Sequence, residues 1–573
     1  MRYGAPKLKR NYIKFYLIGC ILIIIGLFSA VADSAELIPL PRLIEFKNGE
    51  VFLSNKWSIV LDESNEKSLF VGKYLLRQIN VRCGIILKLE DVNSPHQKTN
   101  CIILDKIDGQ KSKDFITGKN KIYFSSIGDE GYLLDISPNS INILGNTSRG
   151  IFYGTQTFIQ LLGGNKEKDG VVAVTAVKII DYPKVKMRAV HFSGVNPDKI
   201  KEQLDKISQL KYNTAIIETP SYFSLSRSES RSRMEEIFRY ARERFIEPIP
   251  ELQSFGASGP VLRKDPFAVE GIRIENEPYK FINNLATPLI PTSHSLVNLI
   301  IDGADQVIIQ SSDEKNLYAE GKDYKIVEGP VSYPFKLNNM PSQIMKTADS
   351  AIKDNEEVLI SYTYFENKAS YKNADCTIPY CPSSERTYKI MFDSIKNVIE
   401  VLKPNYLSVG HDEIRGINRD KRCRERGLSN AEILADDISK LYYFSKTIDP
   451  HVKMLIWSDM LNPYDNGGNA NFQLQYGGLP GVTAPAIDLI PKDIIIMLWR
   501  YDPDRNFLMK SADYFETKQF EYFVAGWNNK QNLLEWSQIA KKRINCLGII
   551  VTTWYDWEGN FDIIKYTAEI SWH

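Results

Sequence analysis

Six His and seven Cys in 573 residues leave little with which to hold a metal. Beyond Cys20 the cysteines are Cys83, Cys101, Cys376, Cys381, Cys423 and Cys546. None has a second Cys or a His at metal-ligand spacing, so the pattern predicts no metal site. A glycine-rich loop of the kind that cradles phosphates is also absent, which argues against a nucleotide cofactor. Excess charge is missing as well: 71 Lys plus Arg against 70 Asp plus Glu give no global field to gather nucleic acid or an anionic membrane. There is no short internal repeat, which excludes a solenoid. Past the N-terminus no apolar run is long enough to cross a bilayer.

What is present is the composition of a folded protein, with 43% apolar and 25% charged residues. The length allows about two to four domains. Eight Trp and 30 Tyr are enough to furnish both a core and a binding wall, and the Trp crowd the last quarter of the chain. Aromatic faces stack on the flat C–H faces of sugars, although any one Trp fits a core equally well. At the N-terminus Arg2, Lys7, Lys9, Arg10 and Lys14 precede an apolar run from Phe15 to Ala32. This is the layout of a signal peptide over residues 1–36, or of an uncleaved signal anchor that would attach the protein to a membrane. Both predict export, to a secreted, periplasmic or cell-surface location. In that setting cysteines pair, with Cys83–Cys101 and Cys376–Cys381 the short-range options.

From residue 37 to 181 short β-like runs alternate with amphipathic stretches, which predicts a compact α+β domain. Tyr132–Leu144 reads as a hairpin around Pro138-Asn139, and Gly150–Leu162 as a helix. From 182 to 573 the pattern becomes apolar strands separated by helices. Eight strands are expected: Met187–Phe192, Asn213–Ile217, Glu247–Pro250, Tyr406–Gly410, Met454–Trp457, Ile494–Trp499, Tyr522–Trp527 and Leu547–Trp554. Eight such units predict an α/β fold, a (β/α)8 TIM barrel. A barrel needs about 250 residues, so this stretch must carry an insertion. Residues 270–364, rich in Val, Ile, Thr and Tyr with Gly/Asp turns, read as a β-rich insertion between strands 3 and 4.

Barrel enzymes work at the carboxyl ends of their strands. In strand order those ends offer His191; Glu218; Glu251 with Gln253; His411-Asp412-Glu413; Trp457 with Asp459; Trp499 with Tyr501; Trp527 with Asn528; and Trp554 with Asp556. Aromatic walls with a few acids suit a sugar pocket. Asp412 and Glu413 are the sharpest candidates for catalysis. As chain neighbours they cannot flank a glycosidic bond from opposite sides. They fit the substrate-assisted route, in which a 2-acetamido carbonyl is the nucleophile, one acid orients that group and the other gives the proton.

Tyr406-Leu-Ser-Val-Gly-His-Asp-Glu-Ile414 resembles the Gly-x-Asp-Glu strand of family 20 glycoside hydrolases, the β-N-acetylhexosaminidases. Asp129–Leu134 and Gly150–Leu162 resemble the zincin-like domain that precedes the barrel in that family, and Ile180–Pro183 with Arg188 resembles the start of the first barrel strand. The resemblance implies that Glu413 is the general acid/base and Asp412 the residue that holds the acetamido group. It makes Trp457, Trp499, Trp527 and Trp554 candidates to line the pocket, and Tyr501 to bond the acetamido oxygen. The implied partner is an N-acetylhexosamine-containing oligosaccharide or glycoconjugate, with no cofactor. His411 either joins this pocket or packs behind the strand. The chain departs from the family at His191, where an Arg usually grips the terminal sugar, and at Ala257, where His is usual. Those departures keep open a non-catalytic or altered-specificity carbohydrate-binding protein on the same scaffold.

Overall fold

The computed structural model describes residues 37–93, 99–107, 126–163, 170–194, 196–292, 294–335, 339–365, 378–468 and 482–573. The expected signal segment, residues 1–36, and Cys376 lie outside them. Contacts divide the chain into two compact units, Met1–Tyr182 and Pro183–His573.

The first unit is built on a seven-stranded sheet in the order Leu43–Ser54, Val171–Asp181, Tyr132–Ser137, Ser140–Gly145, Cys101–Lys106, Ser58–Leu61, Lys88–Asp91. The hairpin register pairs Tyr132 with Gly145 and Ser137 with Ser140, leaving Pro138-Asn139 as a two-residue turn. Thr147 starts the helix Ser148–Leu162 by accepting from the Arg149 and Gly150 N–H groups. Ile151, Phe152, Phe158 and Ile159 are buried on that helix. Tyr132 is buried at the heart of the sheet and donates to Asp181 Oδ2 at 2.7 Å, so its hydroxyl is not left unpaired.

The second unit is a closed barrel of parallel strands: β1 (Met187–Phe192), β2 (Thr214–Glu218), β3 (Glu247–Glu251), β4 (Tyr406–Ser408), β5 (Lys453–Trp457), β6 (Ile495–Trp499), β7 (Tyr522–Gly526) and β8 (Cys546–Thr552). β8 closes on β1 with Ile549 opposite Arg188 and Val551 opposite Val190. The interior is solid. Ala189, Ile216, Ile249, Leu455, Trp457, Ile495, Met497, Phe523, Ala525 and Ile550 form one buried cluster, the layered filling expected of such a barrel. Truncating one of the larger of these to Ala would cost about 2–5 kcal/mol. Outside, the helix Glu385–Leu402 buries Met391, Ile395, Val398, Ile399 and Leu402 at helical spacing. Helix Asn430–Ile448 opens on a capping box between Ser429 and Glu432.

β4 is two residues shorter than its sequence suggests. Gly410 and His411 have φ of +68° and +71°, so the chain leaves the extended conformation there and turns the following acids onto the rim.

Between β3 and β4 lies an antiparallel sheet. Its order is Leu317–Tyr318, Ile308–Ser311, Glu357–Tyr364, Ile272–Ile282, Leu285–Pro288, Gln343–Lys346, Tyr324–Val327, and Leu299–Ile300 also pairs with Glu357–Tyr364. It has a core of its own, in which Tyr279, Phe281, Ile309, Val358, Ile360 and Tyr362 are buried. Asn283 and Asn284, both at positive φ, make the tight turn of its first hairpin. Of the expected cysteine pairs, Cys83–Cys101 does not form, because both are free and buried. Cys381 is also free, and its sulfur neighbour is Cys423. Among the described residues no helix is long and apolar enough to cross a membrane.

Candidate active site

The turn after β4 sets Asp412 and Glu413 at the carboxyl end of the barrel, both partly exposed. Glu413 is itself at positive φ, +45°, and Asp459 just beyond β5 steadies it by accepting the Glu413 N–H at 2.9 Å. Gly256 lies directly beneath: a Cβ there would come within 1.8 Å of the Asp412 carbonyl oxygen, so only glycine fits. Arg415 Nη2 approaches Glu413 Oε2 at 3.3 Å.

The rim holds many acids for its size. Burial, then the nearby Asp459, Glu251 and Glu413 carboxylates, push the Asp412 carboxyl well above the usual range. Burial likewise lifts Asp459 to about 6, although Asn466 and the Glu413 N–H hydrogen-bond it and pull it back. A carboxyl so placed gains most when a positive charge appears beside it.

Across the site, His191 is buried with Nε2 3.5 Å from Glu218 and 3.6 Å from Glu251. Burial opposes its protonation, but the two carboxylates outweigh that and raise its pKa. Glu251 responds in the opposite sense: burial raises it, while His191, Ser408 and Trp457 together hold it below its ordinary value. Ser408 Oγ donates to Glu251 at 2.8 Å and Trp457 Nε1 at 3.1 Å. Glu218 is raised by burial and takes a hydrogen bond from Gln253.

The aromatic candidates divide. Trp457 is buried, with His191 at its edge and Trp554 tilted against it at 6.2 Å. It serves as the floor and as part of the barrel core, not as an open wall. Trp499, Tyr501, Trp527 and Trp554 are only partly covered. Tyr501 packs between Trp499, 5.0 Å away, and Trp527, 5.6 Å away. Trp554 Nε1 donates to the Tyr501 hydroxyl at 2.7 Å, and Trp499 Nε1 donates to Asp459 at 3.2 Å. Trp527 Nε1 is buried with no hydrogen-bond partner. Burial raises the Tyr501 pKa, so its hydroxyl stays protonated.

His411 stands apart. Its Nε2 meets Asp437 at 2.8 Å and its Nδ1 meets Ser254 Oγ at 3.0 Å. Asp437 also accepts from Tyr380 and Tyr388. Both ring nitrogens are thus occupied behind the strand, which gives His411 the packing role and takes it out of the pocket. Asp459 is the residue that strand-end reasoning noticed but did not rank. The signal was its position two residues beyond Trp457, and its bond to the Glu413 backbone is visible only in three dimensions.

The family model for glycosyl hydrolase family 20, domain 2, matches residues 34–182, and that for the glycosyl hydrolase family 20 catalytic domain matches residues 339–543. A β-hexosaminidase of Porphyromonas gingivalis is 28% identical over 256 residues, which cover 39% of this chain and 30% of that protein. A lacto-N-biosidase of Bifidobacterium bifidum is 25% identical over 150 residues, 23% of this chain and 12% of that one. The chain therefore spans less than a third of the length of either relative. Two solved structures share the fold. The exo-β-N-acetylglucosaminidase of Vibrio harveyi has a TM-score of 0.58 at 12% identity, over 94% of this chain and 73% of that one. The β-N-acetylhexosaminidase of Bacteroides fragilis has a TM-score of 0.55 at 14% identity, over 94% and 91%. With both domain models matched in order and the barrel ending β4 in its Asp-Glu pair, the chain belongs to glycosyl hydrolase family 20.

Proposed function

We propose that the protein is an exo-acting β-N-acetylhexosaminidase that removes terminal N-acetylhexosamine from glycans by substrate-assisted, retaining catalysis. The observation that carries this reading is the Asp412-Glu413 pair on the turn after β4, faced by the Tyr501 hydroxyl on the turn after β6. Glu413 gives its proton to the glycosidic oxygen as the C1–O bond breaks. The substrate's acetamido oxygen then bonds C1 to form an oxazolinium-like intermediate. Asp412 accepts the amide N–H and offsets the positive charge that grows there. Tyr501 accepts from Trp554 and keeps its own proton, which it gives to the acetamido oxygen when substrate is bound. In the second step Glu413 removes a proton from water, which attacks C1 and restores the sugar with its configuration retained. A closed floor of His191, Glu251 and Trp457 suits a terminal residue, which supports exo action.

The basic-then-apolar N-terminus supports an exported enzyme. His191 in place of a sugar-gripping Arg favours a specificity different from that of the better-known members.

Turnover of an aryl N-acetyl-β-glucosaminide, inhibited by an N-acetylglucosamine thiazoline, with near silence on plain glucosides, is the expected result. Efficient hydrolysis of plain glucosides with trapping of a 2-fluoro sugar on a carboxylate would overturn the mechanism. Binding of sugar without any turnover would favour the non-catalytic reading.

A further inference from the structure

Away from the pocket, four side chains converge where the β-rich insertion joins the barrel. Glu270 stands two residues before the insertion's first strand, Ile272–Ile282. Cys381 stands just before helix Glu385–Leu402, and Asp420 caps the short helix Lys421–Arg424, beyond Glu413, that carries Cys423. All four are buried, and one ligand atom from each falls within 4.8 Å of the others. Cys381 Sγ and Cys423 Sγ are 3.6 Å apart, Cys423 Sγ is 3.2 Å from Glu270 Oε2, and Cys381 Sγ is 3.7 Å from Asp420 Oδ1. With Zn–S near 2.3 Å and Zn–O near 2.0–2.2 Å, the edges of a tetrahedral site are about 3.4–3.8 Å. The three separations lie at or close to that range.

Each carboxylate is also held from behind. Glu270 Oε1 accepts the Arg419 N–H at 2.6 Å and the Asp420 N–H at 3.3 Å, leaving Oε2 toward the sulfurs. Asp420 Oδ2 accepts from the Arg422 guanidinium at 2.6 Å and from the Gly271 N–H at 3.2 Å. Its Oδ1 faces Cys381 while also accepting the Cys423 N–H at 3.1 Å. Ser383 Oγ lies 3.2 Å from Cys423 Sγ. Outer partners that fix one oxygen of each carboxylate and aim the other are what a built metal site needs. Arg422 beside the cluster offsets part of the charge that two thiolates would add.

We infer that Glu270, Cys381, Asp420 and Cys423 form a structural site for a borderline-soft divalent cation, zinc by its ligand set. Four protein ligands leave no open position, so the ion is a clamp and not a reagent. On binding, the two thiol protons leave to solvent and the metal takes their place. The clamp ties the start of the insertion and the segment before helix Glu385–Leu402 to the short helix that follows the catalytic pair. Spacing in the sequence hides it, because three separate segments supply the ligands.

The test uses the full chain, purified with reductant and titrated first with Co2+ and then with Zn2+. One equivalent of Co2+ should give intense tetrahedral d–d bands and a thiolate-to-cobalt charge-transfer band, both bleached by Zn2+. The bands should vanish in Cys381→Ser and in Cys423→Ser and persist in Cys546→Ser. Zn2+ should raise the Tm of the wild type. Weak six-coordinate cobalt absorption, or bands that survive in both cysteine variants, would overturn the site. So would a Cys381–Cys423 disulfide in metal-free chain recovered without reductant. Should the variants fail to fold, the wild-type cobalt spectrum still decides.

Discussion

The two arcs of the barrel rim are built on different principles. On the arc from β1 to β3, His191, Glu218 and Glu251 are buried and satisfy one another's charge. On the arc from β6 to β8, Trp499, Tyr501, Trp527 and Trp554 are partly exposed and hold one another by ring contacts and a single hydrogen bond. The acids of β4 lie between. A buried ion cluster is rigid and fails badly when one member is removed, whereas a half-covered aromatic wall can exchange solvent for a sugar at little internal cost. The first arc should therefore answer to stability measurements and the second to ligand binding, with the β4 pair answering to turnover alone.

The sharpest separation is expected at Glu413. Replacing a general acid costs typically 10²–10⁴-fold in rate, so Glu413→Gln should lose about that much kcat on natural oligosaccharides and less on aryl glycosides with good leaving groups. Its Tm should hardly move, because the backbone bond to Asp459 does not involve the side chain. Asp412→Asn should lose comparable turnover on N-acetylated substrates only. A Glu413→Gln enzyme as active as wild type on oligosaccharides would remove the residue from this role.

On the opposite arc, His191→Leu leaves Glu218 and Glu251 buried without their cation. Breaking such a cluster costs about 3–5 kcal/mol, so denaturant melts should shift strongly. If instead stability holds and only the apparent affinity for sugar falls, His191 belongs with the ligand-facing residues and the contrast between the arcs fails.

A third measurement uses pH. Asp459 is lifted to about 6 and Asp465 to about 7, each chiefly by burial, whereas an unfolded Asp titrates near 3.9. The folded state thus keeps protons that the unfolded state has released. This stabilisation is complete below about pH 4 and is lost as pH rises through about 6 to 7, each tenfold difference in proton affinity being worth roughly 1.4 kcal/mol. These groups alone should make the Tm of the ligand-free protein decline from about pH 4 to 7, and Asp459→Asn should flatten that decline. A Tm that rises over this window in the wild type and does not change slope in the variant would show that neither acid is buried as described.

The barrel could be read from the sequence because its strands are short, largely apolar runs of three to seven residues separated by stretches long enough for a helix. Met187–Phe192 matches residue for residue, and the other strands match within two residues. Where the reading slipped, local chemistry overrode the run: Val409 and Gly410 continue the apolar pattern of β4, yet the strand ends at Ser408 and Gly410 adopts positive φ, as does His411 after it. The candidate site was legible only as positions along strands: Asp412, Glu413 and Trp554 follow the carboxyl ends of β4 and β8. It was not legible where it depends on which way a side chain turns. Nothing in the sequence tells that His411 turns back to Asp437, that Trp457 sinks to the floor, or that Cys381 lies beside Cys423.

The smallest expected effect tests the wall itself. Trp554 both packs on the site and donates its indole N–H to the Tyr501 hydroxyl, so truncation to Ala would mix two losses. Trp554→Phe keeps most of the ring and removes only the donor. A neutral hydrogen bond contributes about 0.5–1.5 kcal/mol, so affinity for an N-acetylglucosamine thiazoline should fall about three- to tenfold. Tyr501 would lose the bond that fixes its hydroxyl, which the proposed mechanism points at the acetamido oxygen. The same substitution should leave Tm within a degree or two, because Trp554 is partly exposed and its ring contact with His191 is edge-on. Tyr501→Phe should lower affinity similarly, and combining the two should add little, since both act through one hydroxyl. Additive losses would mean that Trp554 contacts ligand independently of Tyr501. A large fall in Tm with unchanged affinity would move Trp554 from the wall into the core beside Trp457.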